Sequence, residues 1–164
     1  FLMPISRKIM GVSRGGGGKK AIFGYGADNT NVLSMTNLVS VTGVVSADTT
    51  GVGTARVGLA AAGYGTDKAI FGFGSLTTSV AGVVNTTNLV SNTGVVSSDT
   101  AGVGTARHSL AATNYGTDKA IFGYGTTGSN VSLTNLVSNI GVVSTDTTGV
   151  GTARNQLAAS SYGT

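Results

Sequence analysis

Asp48, Asp99 and Asp146 open three nearly identical stretches, "DTTG", "DTAG" and "DTTG", and each runs on to an arginine, at Arg56, Arg107 and Arg154. An Asp-Thr pair near a glycine invites comparison with two-carboxylate hydrolysis, which needs two carboxyls facing each other across a cleft. These aspartates are instead equivalent positions in successive units. The expected role is a turn-forming Asp whose side chain bonds its own backbone. One Asp per loop is also too sparse for the clustered oxygens that Ca²⁺ requires. His108 is the only histidine, and its equivalents are Val57 and Asn155. With no Cys and no Glu beside it, a lone imidazole completes neither a metal site nor a nucleophilic triad; it reads as strand or surface filler. In "GVGTAR" an Arg replaces the third glycine of a dinucleotide fingerprint, and "FGYG" lacks the Lys-Ser/Thr of a phosphate loop. These motifs yield no catalytic residue, no metal ligand and no cofactor. The expectation is a protein that is not an enzyme.

The elements that carry these residues recur. Lys20, Lys68 and Lys119 are 48 and 51 residues apart, and Arg56, Arg107 and Arg154 are 51 and 47 apart. Asn37, Asn88 and Asn135 keep the same 51 and 47. Fixed-period similarity of this kind marks a repeat architecture. The copies span 19–66, 67–117 and 118–164, preceded by a basic leader and degenerate first strand at 1–18. Four segments recur: "ARVGLAAAGYG", "ARHSLAATNYG" and "ARNQLAASSYG"; then "KKAIFGYG", "DKAIFGFG" and "DKAIFGYG"; then "TNLVS"; then "GVVS". Each reads as a short strand bounded by turn signals. "YGTDK" and "SNTG" supply the tight connections. Four short antiparallel strands in about 50 residues make one blade of a β-propeller.

Composition agrees with an all-β chain. Of 164 residues 40% are hydrophobic, in short β-branched runs, and only 10% are charged. Such runs suit pleated, half-buried surfaces. Arg7, Lys8, Arg14, Lys19 and Lys20 concentrate positive charge at the start, and the rest sets five basic residues against six Asp. That balance offers no nucleic-acid face, and no apolar run is long enough for a membrane-spanning helix.

Quoted in order, "TARHSLAATNYGTDKAIFGYG" followed by "TNLVSNIGVVSTDTTGVGTAR" resembles a kelch repeat. Arg56, Arg107 and Arg154 stand where the kelch Arg precedes the first strand. Gly24 with Gly26, Gly72 with Gly74, and Gly123 with Gly125 stand near its double glycine. The Trp of the fourth strand is absent, leaving Val44, Val95 and Val142, or the valines beside them, to fill its space. The resemblance implies three four-stranded blades plus an orphan strand at 153–163. Its wording is similar to kelch-like repeats of bacteriophage virion and tail-associated proteins. That implies a structural or assembly protein of a virion or extracellular surface, of tail-fibre, receptor-binding or decoration type. A carbohydrate-binding, lectin-like propeller is the alternative. Kelch-like copper radical oxidases use a Cys-linked Tyr, which this chain lacks.

Three blades are fewer than the four to eight that close a ring. The expectation is therefore a homo-oligomer, or a ring completed by other virion subunits, with strand exchange at the joint; a fragment of a longer protein and an open stack of repeats are the alternatives. Lys68, Lys119, Tyr64, Tyr115 and Tyr162 join the three arginines as structural repeat positions, and the aromatics are expected at blade interfaces. The segment after "FGYG" varies in wording and length, which marks an exposed loop suited to recognition. Asn29, Asn31, Ser79, Asn85, Ser129 and Asn130 lie there as candidate contacts to a host-surface glycan or partner subunit.

Overall fold

The computed structural model describes residues 18–79 and 81–163. The basic leader, with Arg7, Lys8 and Arg14, lies outside the described residues apart from Gly18. All regular structure among them is β. β1 (Ala21–Ala27) pairs with β2 (Val32–Val39) in a two-stranded antiparallel sheet. β3 (Ala60–Tyr64), β4 (Lys68–Gly72) and β5 (Thr87–Val90) form a second sheet in that order. β6 (Ala111–Tyr115), β7 (Lys119–Gly123) and β8 (Thr134–Val137) form a third in the same order and register. The described residues are thus all-β, in three small antiparallel sheets that are not closed on one another, and the second and third sheets each take their first strand, β3 or β6, from the end of the preceding sequence copy.

Strand alternation sends successive side chains to opposite faces. In β4 this sends Ile70 toward the third sheet and Phe71 toward the first. Ile70 lies in the larger apolar cluster with Tyr64, Phe73, Phe122 and Val137. Phe71 lies in a smaller one with Val90 and Val96, against Ile22 and Tyr25. The core therefore sits between sheets, and the middle sheet contributes a face to both clusters. Burying Phe122 or Ile70, both fully enclosed, stabilises by about 2 kcal/mol each.

The sequence pattern suggests thirteen strands, and the described residues hold eight. The fourth segments account for part of the difference. Each touches its neighbour through two isolated bridges, Val90↔Val96 and Thr87↔Thr100 in the second copy. Three steps on one strand face four on the other, so an extra residue bulges out and interrupts the ladder. Ser97 occupies the gap: its hydroxyl accepts the Leu89 N–H at 3.0 Å, and its own N–H donates to the Leu89 carbonyl at 2.8 Å. Val96 and Val143 turn inward from these segments, while Val95 and Val142 point to solvent. The segment 153–163 is likewise not a strand, because no sheet edge among the described residues pairs with it. The connections are as expected, with Gly43, Gly94 and Gly141 at positive φ in the tight turns after β2, β5 and β8.

Candidate functional site: a polar tie between repeats

The Gly-Tyr-Gly and Gly-Phe-Gly exits set the geometry. Tyr25, Phe73 and Tyr124 all adopt left-handed backbone, with φ of 63°, 65° and 63°. This costs a non-glycine residue about 1–2 kcal/mol, and the surroundings hold it in place. The following glycine N–H donates to the carbonyl of the copy's closing arginine, Gly26 to Arg56 at 2.9 Å, Gly74 to Arg107 at 2.9 Å and Gly125 to Arg154 at 3.0 Å. The strained turn thereby lays an aromatic ring under each guanidinium. Arg56 lies 4.7 Å from the centre of the Tyr25 ring, Arg107 4.3 Å from Phe73 and Arg154 4.2 Å from Tyr124. Such stacking contributes most where the cation is desolvated.

From that stack the guanidinium reaches into the next copy. Arg107 Nη2 donates to Asn135 Oδ1 at 2.7 Å, Nη1 to the Thr105 carbonyl at 3.0 Å and Nε to the Tyr124 carbonyl at 2.8 Å. Asp146 Oδ1 lies 3.8 Å from Nη1. Asn135 in turn donates through Nδ2 to Asp146 Oδ1 at 2.9 Å and to the Ser144 carbonyl at 3.0 Å. Asp146 also accepts the Thr105 N–H at 2.9 Å and its hydroxyl at 2.6 Å. Arg107 and Asn135 are completely buried, so each polar atom needs a partner inside the protein. The joint one copy earlier repeats the design. Arg56 donates to Asn88 and lies 3.4 Å from Asp99, Asn88 donates to Asp99 at 2.8 Å, and Thr54 donates to Asp99 at 3.0 and 2.6 Å. It differs in the direct Arg56–Asp99 hydrogen bond and in Arg56 Nε, which is buried without a partner.

The electrostatics follow from this packing. Burial pushes the Asp99 and Asp146 carboxyls up, but the threonine and asparagine hydrogen bonds and the adjacent guanidinium outweigh it. Both carboxyls stand below the ordinary range. Burial lowers the Arg107 guanidinium, and the Asp146 charge opposes that shift. Asp99 and Asp146 therefore do not act as self-contained turn formers, the role that sequence spacing suggests. Their oxygens are taken by the preceding copy across 41 to 45 residues of chain.

Tyr64 is buried between the second and third sheets, Tyr115 is partly exposed and Tyr162 is fully exposed. Lys68 and Lys119 make only local pairs with Asp67 and Asp118, at 3.0 and 3.4 Å. His108 shares a hydrogen bond with Ser109 Oγ through Nδ1 at 2.9 Å, and its Nε2 is buried without a partner.

The loop candidates do not form one site. Asn31 closes a tight hairpin, its N–H donating to Asp28 Oδ1 at 2.6 Å, with Asn29 exposed at the tip. Ser79, Ser129 and Asn130 are exposed on the other two loops. Asn85 is instead part-buried, its Nδ2 donating to the Gly104 carbonyl of the same copy at 2.6 Å. At the other end of the sheets an open groove of about 1010 Å³ runs past Lys20, Asp67, Lys68, Asn92 and Lys119. The residues that sequence reasoning missed are Thr54, Thr105, Asn88 and Asn135. The signal was present, since Asn, Asp and Arg recur together with equal offsets, but no pattern in one copy says that the three meet across copies.

Compared with known proteins, the chain matches no family model and no curated protein.

Proposed function

We propose that the chain is a non-enzymatic structural module, a run of kelch-like propeller blades that serves in a virion or another extracellular surface assembly. The observation that carries this reading is the use made of its recurrent charged residues. Arg56, Arg107, Asp99 and Asp146 are consumed in ties between copies, where chemistry on a substrate would need them free. A joint of this kind fixes the angle between successive units and can be repeated without limit, which is what an architectural part requires. The three-stranded sheets β3–β5 and β6–β8, each with a bulged fourth segment bridged to the last strand, are compatible with propeller blades. The virion assignment rests on the kelch-like wording of the repeats. Immunogold labelling of intact particles from the viral fraction of the source, with an antibody raised against the chain, tests it. Labelling along tails or on the capsid surface is the expected result. Binding of the chain to a glycan array, with no particle labelled, would replace this reading by the lectin-like one.

A further inference from the structure

Each joint inside the chain is built from matching halves, and its two outer sheets carry the same halves open among the described residues. We infer that a second copy of this chain docks head to tail on these faces, with Arg154 of one copy entering the Asn37–Asp48 site of the next and residues 158–162 adding a strand to β1. This rests on the reading of the chain as an assembly module and names its partner.

Three sets of contacts occur twice inside the chain and stand half-made at its ends. The first is aromatic on glycine. A Cβ at Gly24 would lie 3.0 Å from Phe71, and one at Gly72 would lie 2.7 Å from Phe122, so each Phe closes on a bare backbone of the preceding sheet. Phe23, the equivalent residue on the first sheet, is 62% exposed. Gly123, the equivalent glycine on the third, meets only Thr134 of its own sheet. The second is leucine on turn glycine. Leu38 covers Gly94 and Leu89 covers Gly141. Leu136 is 42% exposed, and Gly43 has nothing within 4 Å.

The third set is the polar tie. Arg154 already stacks on Tyr124 and hydrogen-bonds the Thr152 carbonyl at 3.1 Å, the pose of Arg107, yet its guanidinium faces solvent. Asn37 already donates to Asp48 Oδ1 at 2.8 Å and to the Ser46 carbonyl at 3.1 Å, the pose of Asn135. Cation and acceptor are thus opposite in charge and held in the geometry of the finished joint, which reduces the ordering cost of association. The register of the added strand follows from the others. Ala60 and Ala111 stand opposite Gly72 and Gly123, and Gly63 and Asn114 stand opposite Ala69 and Ala120. Ala158 then falls opposite Gly24, and Ser161 opposite Ala21. The interface is heterologous, so it propagates until it closes.

The chain has no Cys, so introduced thiols give a clean test. Chains carrying Ala21→Cys and chains carrying Ser161→Cys are refolded together and oxidised. A disulfide-linked pair of the two chains is expected. Replacing Ser161→Cys by Ser160→Cys slips the register by one residue and turns the thiols to opposite faces, so the yield should fall at least several-fold. Adding Arg154→Met to the Ser161→Cys chain should weaken association by roughly tenfold, one charge-assisted hydrogen bond's worth, with an unchanged circular dichroism spectrum. A monomer by light scattering at every concentration, as when residues 1–17 cover the β1 edge themselves, would overturn the proposal. So would equal disulfide yield in both registers. In-register pairing with no labelled particle keeps the joint and sinks the virion reading; labelled particles without pairing do the reverse.

Discussion

Replacing Arg107 by Met is the most direct test of the polar tie. Met keeps much of the stem's volume and removes the guanidinium from a site with no solvent exposure. Three acceptors lose their donor at once: the Tyr124 carbonyl at 2.8 Å, the Thr105 carbonyl at 3.0 Å and Asn135 Oδ1 at 2.7 Å. The buried Asn135 Oδ1 left unpaired costs about 1–3 kcal/mol, and the two part-buried carbonyls, which water can reach in part, cost less. The stack on Phe73 adds about 1 kcal/mol where the cation is desolvated. The ion pair itself adds little, because Asp146 keeps a quarter of its side chain in water and sits 3.8 Å away. The expected loss is about 3–5 kcal/mol, in line with removing one partner from a buried charged pair. For a chain of this length that lowers the thermal midpoint by roughly 10 °C. Urea denaturation followed by circular dichroism measures it. Arg154→Met is the matched control, since Arg154 has the same sequence context but an exposed side chain. In dilute monomer it should change stability by less than about 1 kcal/mol. Equal losses for the two variants, or a loss under 1 kcal/mol for Arg107→Met, would refute the assignment of the tie as the joint's main polar support.

Further outcomes follow from the same geometry. The Asp99 and Asp146 carboxyls are held below their ordinary values, so their contribution is fully present above the unfolded pKa of about 4 and is lost as pH falls through the lower folded values. Stability should be flat from neutral pH to about 5 and decline below about 4, less steeply in Asp146→Asn, as denaturation series at several pH values will record. Gly72→Ala places a Cβ 2.7 Å from the Phe122 ring, and overpacking of this kind costs about 1–3 kcal/mol. Gly123→Ala should cost the monomer under about 1 kcal/mol, because the added atom meets only the Thr134 methyl at 3.4 Å. Asn135→Leu removes the link between Arg107 and Asp146. In a double-mutant cycle with Arg107→Met its effect should fall short of additivity by about 1–3 kcal/mol, since both act on one network.

The second-strand motif was legible because it satisfies two constraints at once. In "DKAIFG" the alternation of Ile and Phe supplies both faces of a buried strand, and Gly on either side supplies the turns. The copy boundaries and the order of segments follow from that recurrence alone. The fourth strand was not legible as a broken one. "GVVS" has strand composition, but its ladder is interrupted by an extra residue whose place is taken by the Ser97 hydroxyl and the Asn88 carboxamide. Composition does not say which backbone groups a side chain will intercept. The aspartates show the same limit from the other side. Local spacing made Asp99 a turn former, and the decisive partners, Thr54 and Arg56, stand more than 40 residues away.

The position of the tie explains why its residues recur so strictly while the loops drift. Every joint takes Thr and Arg from the end of one copy and Asn and Asp from the middle of the next. A substitution in any one copy therefore acts on a boundary, with its effect shared by two sheets. The middle sheet belongs to both joints: Asp99 and Asn88 serve the first, and Thr105 and Arg107 serve the second. The two can be broken separately, and an array with nearest-neighbour coupling should then lose one outer sheet before the other. Hydrogen exchange distinguishes the cases. Asp99→Ala should expose the amides of β1 and β2 first, and Arg107→Met those of β7 and β8. Loss of protection across all three sheets together, from either substitution, would mean that the sheets fold as one unit and that the ties do not divide the chain into separable steps.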